Sequence, residues 1–193
     1  MSKLICNTLE GLLKNNNSIE IEPDSKLILP GTIVQTKYIR TDSRLTLTAL
    51  SSGNGTGIAD LNIPFTPKFA NSLLLLSWMI NYEVIHDVIF VVHKDGALIT
   101  TPGYEGYNNI AGNNRWSGVM TSYYDQDQSS TMTNGCLRFL IPAENIDPRI
   151  YTPAIRSTGT ANYTFALNRP INSAGADAYE NTISTGVIME IVQ

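Results

Sequence analysis

Short stretches in which apolar and polar side chains alternate, separated by turn residues, constrain the fold of this chain more than any other feature. Residues 19–22 read Ile-Glu-Ile-Glu, and residues 45–50 read Leu-Thr-Leu-Thr-Ala-Leu. This period of two is typical of half-buried β-strands. Pro and Gly recur throughout, and the sequence lacks long runs of good helix formers with caps. The pattern predicts an all-β chain, a β-sandwich or jelly roll of about nine strands.

Two long apolar runs, residues 72–83 and 84–93, are the expected central strands of this sandwich. Lys94-Asp95-Gly96 follows as a hairpin turn, because Asp-Gly tolerates the positive φ angles of such turns. We expect Leu75 and Val91 to be buried, so Asp or Lys at either position should unfold the protein. The other expected strands are residues 19–22, 26–29, 32–39, 45–50, 58–63, 136–141, 161–167 and 182–192. Residues 142–153 and 172–178 are expected to connect strands.

The N-terminal thirty residues are expected to form a separate segment, with a boundary near Pro30-Gly31. Residues 1–30 are too few to bury a core of their own. We therefore predict an extended attachment or shaft segment over residues 1–30 and a sandwich domain over residues 31–193. Residues 4–13 are compatible with a short helix or with a strand, and periodicity does not decide between them.

The sequence favours a soluble chain made in a cytoplasm. Its N-terminus lacks the long apolar stretch of a signal peptide. The longest apolar run, residues 73–80, is far shorter than the roughly 20 residues of a membrane helix. Cys6 and Cys136 lie far apart in sequence. A disulfide between them stays open, although two separated cysteines are more often free thiols.

Charged residues make up only 16% of the chain, whereas an average soluble domain has about 25%. Small polar residues replace them, with 18 Asn, 19 Thr and 15 Ser among 193 residues. Disorder is disfavoured, because the apolar content is ordinary and the net charge is only −4. Nucleic-acid binding is disfavoured too, because 13 basic residues against 17 acidic ones leave no cationic excess for phosphates.

The sequence predicts neither an enzyme nor a cofactor or metal site. His86 and His93 are seven residues apart, an odd spacing that places them on opposite faces of a strand unless a turn intervenes. Asp125 and Asp127 offer too few carboxylates for a calcium loop. Residues 53–57 are rich in glycine but lack the spacing and the helix of a phosphate-binding loop, which favours a flexible hairpin.

The loop-rich middle of the chain carries the candidate binding residues. Tyr and Trp offer broad, stiff contact area with a polar group, and the interleaved Asn residues offer adaptable hydrogen bonds. This composition suits recognition of a glycan or a protein surface. Capping of the sandwich ends or filling of a subunit interface is the alternative. The candidates are Tyr104, Tyr107, Trp116, Tyr123 and Tyr124.

Three segments resemble tail-fibre and related virion proteins of tailed phages, especially marine and cyanobacterial ones. Residues 63–76, Ile-Pro-Phe-Thr-Pro-Lys-Phe-Ala-Asn-Ser-Leu-Leu-Leu-Leu, are similar to that family's "I-x-P-x-x-x-x-S-x-I-L-I" pattern. Residues 182–191, Thr-Ile-Ser-Thr-Gly-Val-Ile-Met-Glu-Ile, are similar to its closing "S-x-I-x-x-M-E-I" strand. The N-terminal part, with Ser-Lys-Leu-Ile-Cys-Asn-Thr-Leu-Glu at residues 2–10, resembles the family as well.

The resemblance implies a non-enzymatic β-rich virion protein, a tail-fibre-like or capsid-decorating subunit that assembles as a homotrimer. It implies that residues 1–30 bind other virion proteins, and it names no catalytic residue. A receptor-binding module for a host surface glycan is the alternative function. The hairpin at residues 93–96 and the Tyr- and Asn-rich middle depart from the family pattern. A capsule depolymerase is disfavoured, because the chain is short for a long carbohydrate groove. No membrane or nucleic-acid partner is expected.

Overall fold

A computed structural model describes residues 28–99, 119–123, 131–173 and 180–193. These residues form an almost purely β structure with one short 3₁₀ helix, Ala59–Leu61. None of their helical segments has the length and apolar character needed to cross a membrane. The strands are β1 (Ile33–Thr41), β2 (Leu45–Ala49), β3 (Thr56–Gly57), β4 (Ile63–Phe65), β5 (Leu73–Val84), β6 (Val88–Lys94), β7 (Ala97–Leu98), β8 (Val119–Met120), β9 (Thr133–Pro142), β10 (Arg149–Ser157), β11 (Tyr163–Leu167) and β12 (Ser184–Ile191).

The twelve-residue strand β5 lies at the centre of the first sheet, sheet A. Strand β9 runs antiparallel along one edge of β5, from Leu73 opposite Pro142 to Tyr82 opposite Thr133. The other edge of β5 pairs with β12 and then with β11. Strand β1 lies beyond β12, and β2 lies beyond β11. All of these pairings are antiparallel, so sheet A is held by strands from both ends of the described chain.

Strands β10 and β6 form the middle of the second sheet, sheet B. The outer edge of β10 pairs with β4 and β3, and the outer edge of β6 pairs with β7 and β8. The turn between β6 and β7 is Asp95-Gly96, with φ angles of 53° and 80°. Both angles are positive, as a tight hairpin turn requires, so the predicted hairpin is confirmed.

The two sheets pack face to face, and alternate side chains from both meet in one core. The Tyr82 ring of β5 stacks on Phe165 of β11 with centroids 5.1 Å apart, and it meets Phe90 of β6 edge-on at 5.4 Å. Gly186 of β12 is required by close approach, because a Cβ there would lie 2.4 Å from the Trp78 ring. The predicted all-β sandwich is therefore confirmed, and its short strands account for the excess over nine.

Strand β10 lies in a region that the sequence assigned partly to a connection, so that expectation is wrong. Pro153 leaves β10 without one amide donor, because proline cannot donate to a ladder. The Pro153 carbonyl accepts a hydrogen bond from the Ile58 amide at 2.9 Å, on the edge facing away from β6. The proline nitrogen points to that same edge, between the β4 and β3 pairings. Proline therefore removes no bond between β10 and β6.

The expected strand over residues 58–63 is also wrong. Ile58 accepts a hydrogen bond from Leu61 N at 2.9 Å, and Ala59 accepts one from Asn62 N at 3.1 Å. These bonds close a 3₁₀ turn, and strand β4 begins only at Ile63. Ile58 and Leu61 are the apolar ends of this turn, and both are buried in the core.

The two expected central strands differ in how they are buried. Strand β6 is buried on both faces, as predicted, and Val91 is fully inaccessible. Strand β5 instead alternates between buried residues and residues that are half-buried or exposed. Leu75 lies on the outward side, so the expectation that Leu75 belongs to the core is wrong. A continuous apolar run was mistaken for burial on both faces.

Candidate functional site

Of the five predicted binding residues, only Tyr123 lies within the described residues. Its side chain is 44% exposed. Tyr104, Tyr107, Trp116 and Tyr124 fall outside the described ranges, so their role stays a prediction. The structure nevertheless places Tyr123 beside the His86 ring, a contact that the sequence did not indicate.

Tyr123, His86 and Tyr163 form an aromatic cluster at the turn between β5 and β6, which we call the His86 cluster. The rings of His86 and Tyr163 are nearly parallel, with centroids 4.2 Å apart. The rings of His86 and Tyr123 are also nearly parallel, at 6.1 Å. His86 is exposed and Tyr163 is half-buried against the core. The cluster therefore places two exposed rings, those of His86 and Tyr123, beside the half-buried Tyr163.

The position of Tyr123 is set by the residues just before it. Thr121 donates to the Val88 carbonyl through its amide and through its hydroxyl, both at 2.9 Å. The buried Tyr82 hydroxyl donates to the Ser122 carbonyl at 3.1 Å. Burial raises the pKa of Tyr82, although hydrogen bonds oppose this shift. The phenol therefore stays protonated and keeps donating, which anchors the backbone beside Tyr123.

The His86 ring is oriented by its own turn. The Asp87 amide donates to His86 Nδ1 at 2.8 Å, so the neutral ring carries its proton on Nε2. Tyr163 opens strand β11 and pairs with Ala49 of β2. Stacked rings with a nearby donor are suited to sugar rings or to a flat protein surface. His86 and Tyr163 are 77 positions apart, so neither spacing nor periodicity could have grouped them.

A second constellation surrounds the carboxylate of Glu190, which is buried in β12. Glu190 accepts hydrogen bonds from the amides of Lys68 and Phe69, from the Ser72 hydroxyl and from the Gln35 side chain, at 2.5–2.9 Å. We call this arrangement the Glu190 latch. It fixes the turn between β4 and β5 to the last strand of the chain.

The latch keeps Glu190 charged. Burial by itself raises the pKa of this carboxyl, but the hydrogen bonds from Lys68, Ser72, Phe69 and Gln35 outweigh burial and lower the pKa below its ordinary value. A carboxylate has several acceptor sites, so one group satisfies four donors. The latch is thus structural, and its donors are already committed to protein groups.

The Glu190 latch joins the two sequence patterns that resemble phage virion proteins. Ser72 belongs to the first pattern and Glu190 to the second, 118 positions later, and the Ser72 hydroxyl lies 2.7 Å from a Glu190 carboxylate oxygen. Lys68 and Phe69 also belong to the first pattern. The serine and the glutamate are therefore parts of one structural unit rather than two independent motifs.

A groove of about 580 Å³ lies beside the latch. Its charged lining residues are Lys37, Asp95 and Arg149. Arg149 is buried, and its guanidinium donates to the carbonyls of Ala143 and Asn145 at 2.7 and 3.1 Å. That cation is therefore used to hold its own loop. Lys37 and Asp95 are the groove's exposed charges, and they have opposite signs.

The glycine-rich loop is hydrogen-bonded to sheet B. Arg156 of β10 donates to the carbonyls of Ser51 and Gly53. His93 Nε2 lies 2.8 Å from the Asn54 carbonyl, to which it must donate. His93 thus serves the loop, while His86 lies in the turn after β5. The two histidines have separate structural settings.

No protein-family model matches the sequence, and no curated protein matches it. Two solved structures of infectious bursal disease virus are similar to the chain. The structure of the Gx strain has a TM-score of 0.37 and 13% identity, and the match covers 91% of this chain and 41% of that chain. The crystal structure of the VP2 subviral particle has a TM-score of 0.35 and 13% identity, with 91% and 42% covered. The chain spans less than half the length of either, and similarities this low support no conclusion about function.

Proposed function

We propose that this chain is a non-enzymatic structural protein of a bacteriophage virion, either tail-fibre-like or capsid-decorating. It acts by assembling on the particle, as the homotrimer that the sequence resemblance implies. Residues 1–30 bind other virion proteins. The protein is made in the host cytoplasm and resides in the virion.

The Glu190 latch is the observation that carries this proposal. Two sequence patterns that resemble phage virion proteins contribute the donors and the acceptor of a single buried cluster. Strands β5 and β12 pair directly, so the two patterns lie side by side in sheet A. The resemblance therefore rests on a co-folded element, which strengthens the assignment to that class of protein.

The composition agrees with an assembling protein. Charged residues are depleted from the cores of protein interfaces, and only 16% of this chain is charged. Thr and Ser suit the solvent faces of strands, and Asn and Gly suit turns. This composition is therefore typical of a chain that binds copies of itself.

Immunogold labelling of purified virions with antibodies against this chain tests the proposal. We expect label at one defined position on the head, collar or tail, with a reproducible copy number. A variant lacking residues 1–30 is the matched control, and we expect it to be absent from particles. Absence of the full chain from virions would refute the proposed function.

A second function, binding of a host surface glycan, is favoured by the His86 cluster. His86 and Tyr123 are exposed, and the His86 ring stacks on the half-buried Tyr163. We expect Tyr123→Ala and His86→Ala to reduce binding of purified protein to host cells about tenfold each, as loss of stacking contacts of about 1.4 kcal/mol implies. Ile146→Ala, which removes an exposed apolar side chain elsewhere, is the control. Equal binding by all three variants would exclude this cluster as the glycan site.

A further inference from the structure

The outward side of sheet A is an ordered apolar surface, which we call the open face. Its residues come from β1, β12, β5 and β9 and lie in register across the four strands. The rows are Arg40–Thr185–Met79–Cys136, Tyr38–Val187–Ser77–Arg138, Thr36–Met189–Leu75–Leu140 and Ile33–Ile191–Leu73–Pro142. Apolar side chains dominate these rows, and none of the residues is acidic.

Side chains on the open face are unusually accessible for such large apolar groups. Tyr38 is 65% exposed, Ile33 52%, Met79 43% and Leu140 36%. Between them, Val187 and Met189 of β12 are only half-buried. A contiguous exposed apolar patch on a soluble protein marks an interaction site.

The open face has the size of a protein interface. Four strands about 4.8 Å apart and about eight residues of 3.3 Å each give a footprint of roughly 500 Å² before side-chain relief is counted. A stable interface buries about 600–1,000 Å² per partner. The surface is one side of a β-sheet, so it suits a second sheet better than a small ligand, which requires a concave site.

The open face carries cations and no anion, and its row through Tyr38 and Arg138 can pair with the same row of a second copy. Tyr38 and Arg138 lie at opposite ends of one row, separated by Val187 and Ser77. A two-fold axis parallel to the strands, between two such faces, brings β1 of one copy over β9 of the other. Each Arg138 then lies over Tyr38 of the second copy, an arrangement in which a guanidinium stacks favourably on an aromatic ring.

We propose that the open face binds the open face of a second copy of this chain, as two sheets stacked about 10 Å apart. The inference rests on self-assembly in the proposed function and names the surface that performs it. The contact is two-fold, so it is additional to a trimer contact and joins two chains, or two trimers, face to face.

Sedimentation velocity of the full chain tests the contact. We expect a mass equal to an even multiple of the chain, and we expect Met79→Arg to halve that mass or to raise the dissociation constant roughly thirtyfold, the effect of losing a hot-spot contact. Ile150→Arg is the matched control, because Ile150 is an apolar residue of β10 with nearly the same exposure, 42% against 43%. Unchanged assembly in Met79→Arg would overturn the proposal.

A pair of charge substitutions tests the register, and this test does not depend on whether Met79→Arg folds. Tyr38→Arg places two arginines opposite each other across the axis, so we expect it to abolish the face-to-face contact. Adding Arg138→Glu to that variant should restore the contact, because opposite charges then meet. Circular dichroism checks that each variant is folded. Tyr38→Arg assembly equal to wild type, or failure of the double variant to recover, would overturn the proposed register.

The inference and the proposed function fail separately. A wild-type monomer or a plain trimer in solution, with the chain still labelled on virions, overturns the open-face contact and leaves the proposed function standing. Loss of virion labelling together with a Met79-sensitive dimer overturns the proposed function and keeps the contact.

Discussion

The outer faces of the two sheets are built from similar strands but end in opposite states. On sheet B, the outward residues Ile89, Val91 and Ala154 are completely buried. On sheet A, the outward residues Tyr38 and Met79 are largely exposed. Alternation produced an apolar outer face in both sheets. Among the described residues, the two outer faces differ in what packs against them.

A loop lies against sheet B and is held there by two buried polar side chains. Residues 51–55 run across β10, where Arg156 and His93 donate to their carbonyl groups. Gly55 allows the close approach, since a Cβ there would lie 2.7 Å from the Ile155 carbonyl oxygen. The open face of sheet A has Arg138 at an equivalent outward position, but Arg138 is exposed. An arginine thus serves as a loop anchor on one sheet and as a surface group on the other.

Burial of charged residues leaves the surface with fewer charges than the composition alone indicates. Several of the few charged residues are buried and bind loop backbone, so they stabilise internal structure and do not lie on the surface. Buried charges of this kind require hydrogen-bond partners, and each has them. They are Glu83, Arg149, Arg156, Arg169 and Glu190.

The largest expected effect comes from placing the same charge on each face. Val91→Asp buries an uncompensated carboxylate and should cost about 3–5 kcal/mol of stability. Leu75→Asp on the open face should cost about 1 kcal/mol, because Leu75 is only half-buried. Urea unfolding at low protein concentration, followed by fluorescence of the buried Trp78, measures both. Equal losses would show that the two faces are equally buried in solution.

A smaller effect is expected from removing one arginine on each face. Arg156→Met deprives the Ser51 and Gly53 carbonyls of charged donors and should cost about 1.5–3 kcal/mol. Arg138→Met on the open face should change stability by less than about 0.5 kcal/mol. Hydrogen exchange of the amides at residues 51–55 should accelerate in the first variant only. Unchanged exchange there would mean that Arg156 does not hold the loop.

The smallest effect concerns the latch at the end of β12, where Met189 and Ile191 belong to the open face. The lowered pKa of Glu190 stabilises the fold above the ordinary glutamate pKa, and this contribution is lost as pH falls through the folded-state pKa. We expect Glu190→Gln to be about 1–2 kcal/mol less stable than wild type at neutral pH.

The gap between wild type and Glu190→Gln should narrow on acidification, because the wild-type carboxyl then becomes protonated as well. Thermal melts across a pH series measure this gap. The exposed Glu180→Gln is the control and should track wild type throughout. A gap that stays constant with pH would mean that the charge of Glu190 does not stabilise the latch.

Most strands could be predicted from local pattern. Strands β1, β2, β9 and β12 fall close to the predicted ranges, because their alternation matches burial on a single face. Strand β10 could not be found this way. The tolerance for Pro153 depends on which edge of the strand faces β6, and that is a property of the assembled sheet.

The candidate site was predicted only in part. Tyr123 was predicted because it lies in a region rich in Tyr and Asn. His86 and Tyr163 were not predicted, because their rings meet only after β5, β6 and β11 have formed. The two segments that form the Glu190 latch, residues 63–76 and 182–191, were both identified by their sequence patterns. Their contact had no sequence signal, because hydrogen bonds between residues 118 positions apart leave no local periodicity.

The sequence by itself determined the β class, the hairpin at Asp95-Gly96 and the scarcity of surface charge. These properties follow from local backbone preferences and from composition, which act without knowledge of neighbours. Only the tertiary structure decided which apolar faces are covered. Leu75 and Val91 lie in similar apolar runs, but Leu75 is half-buried and Val91 is fully buried. The physical reason is that burial depends on what packs above a strand, and period-two alternation says only which residues share a face.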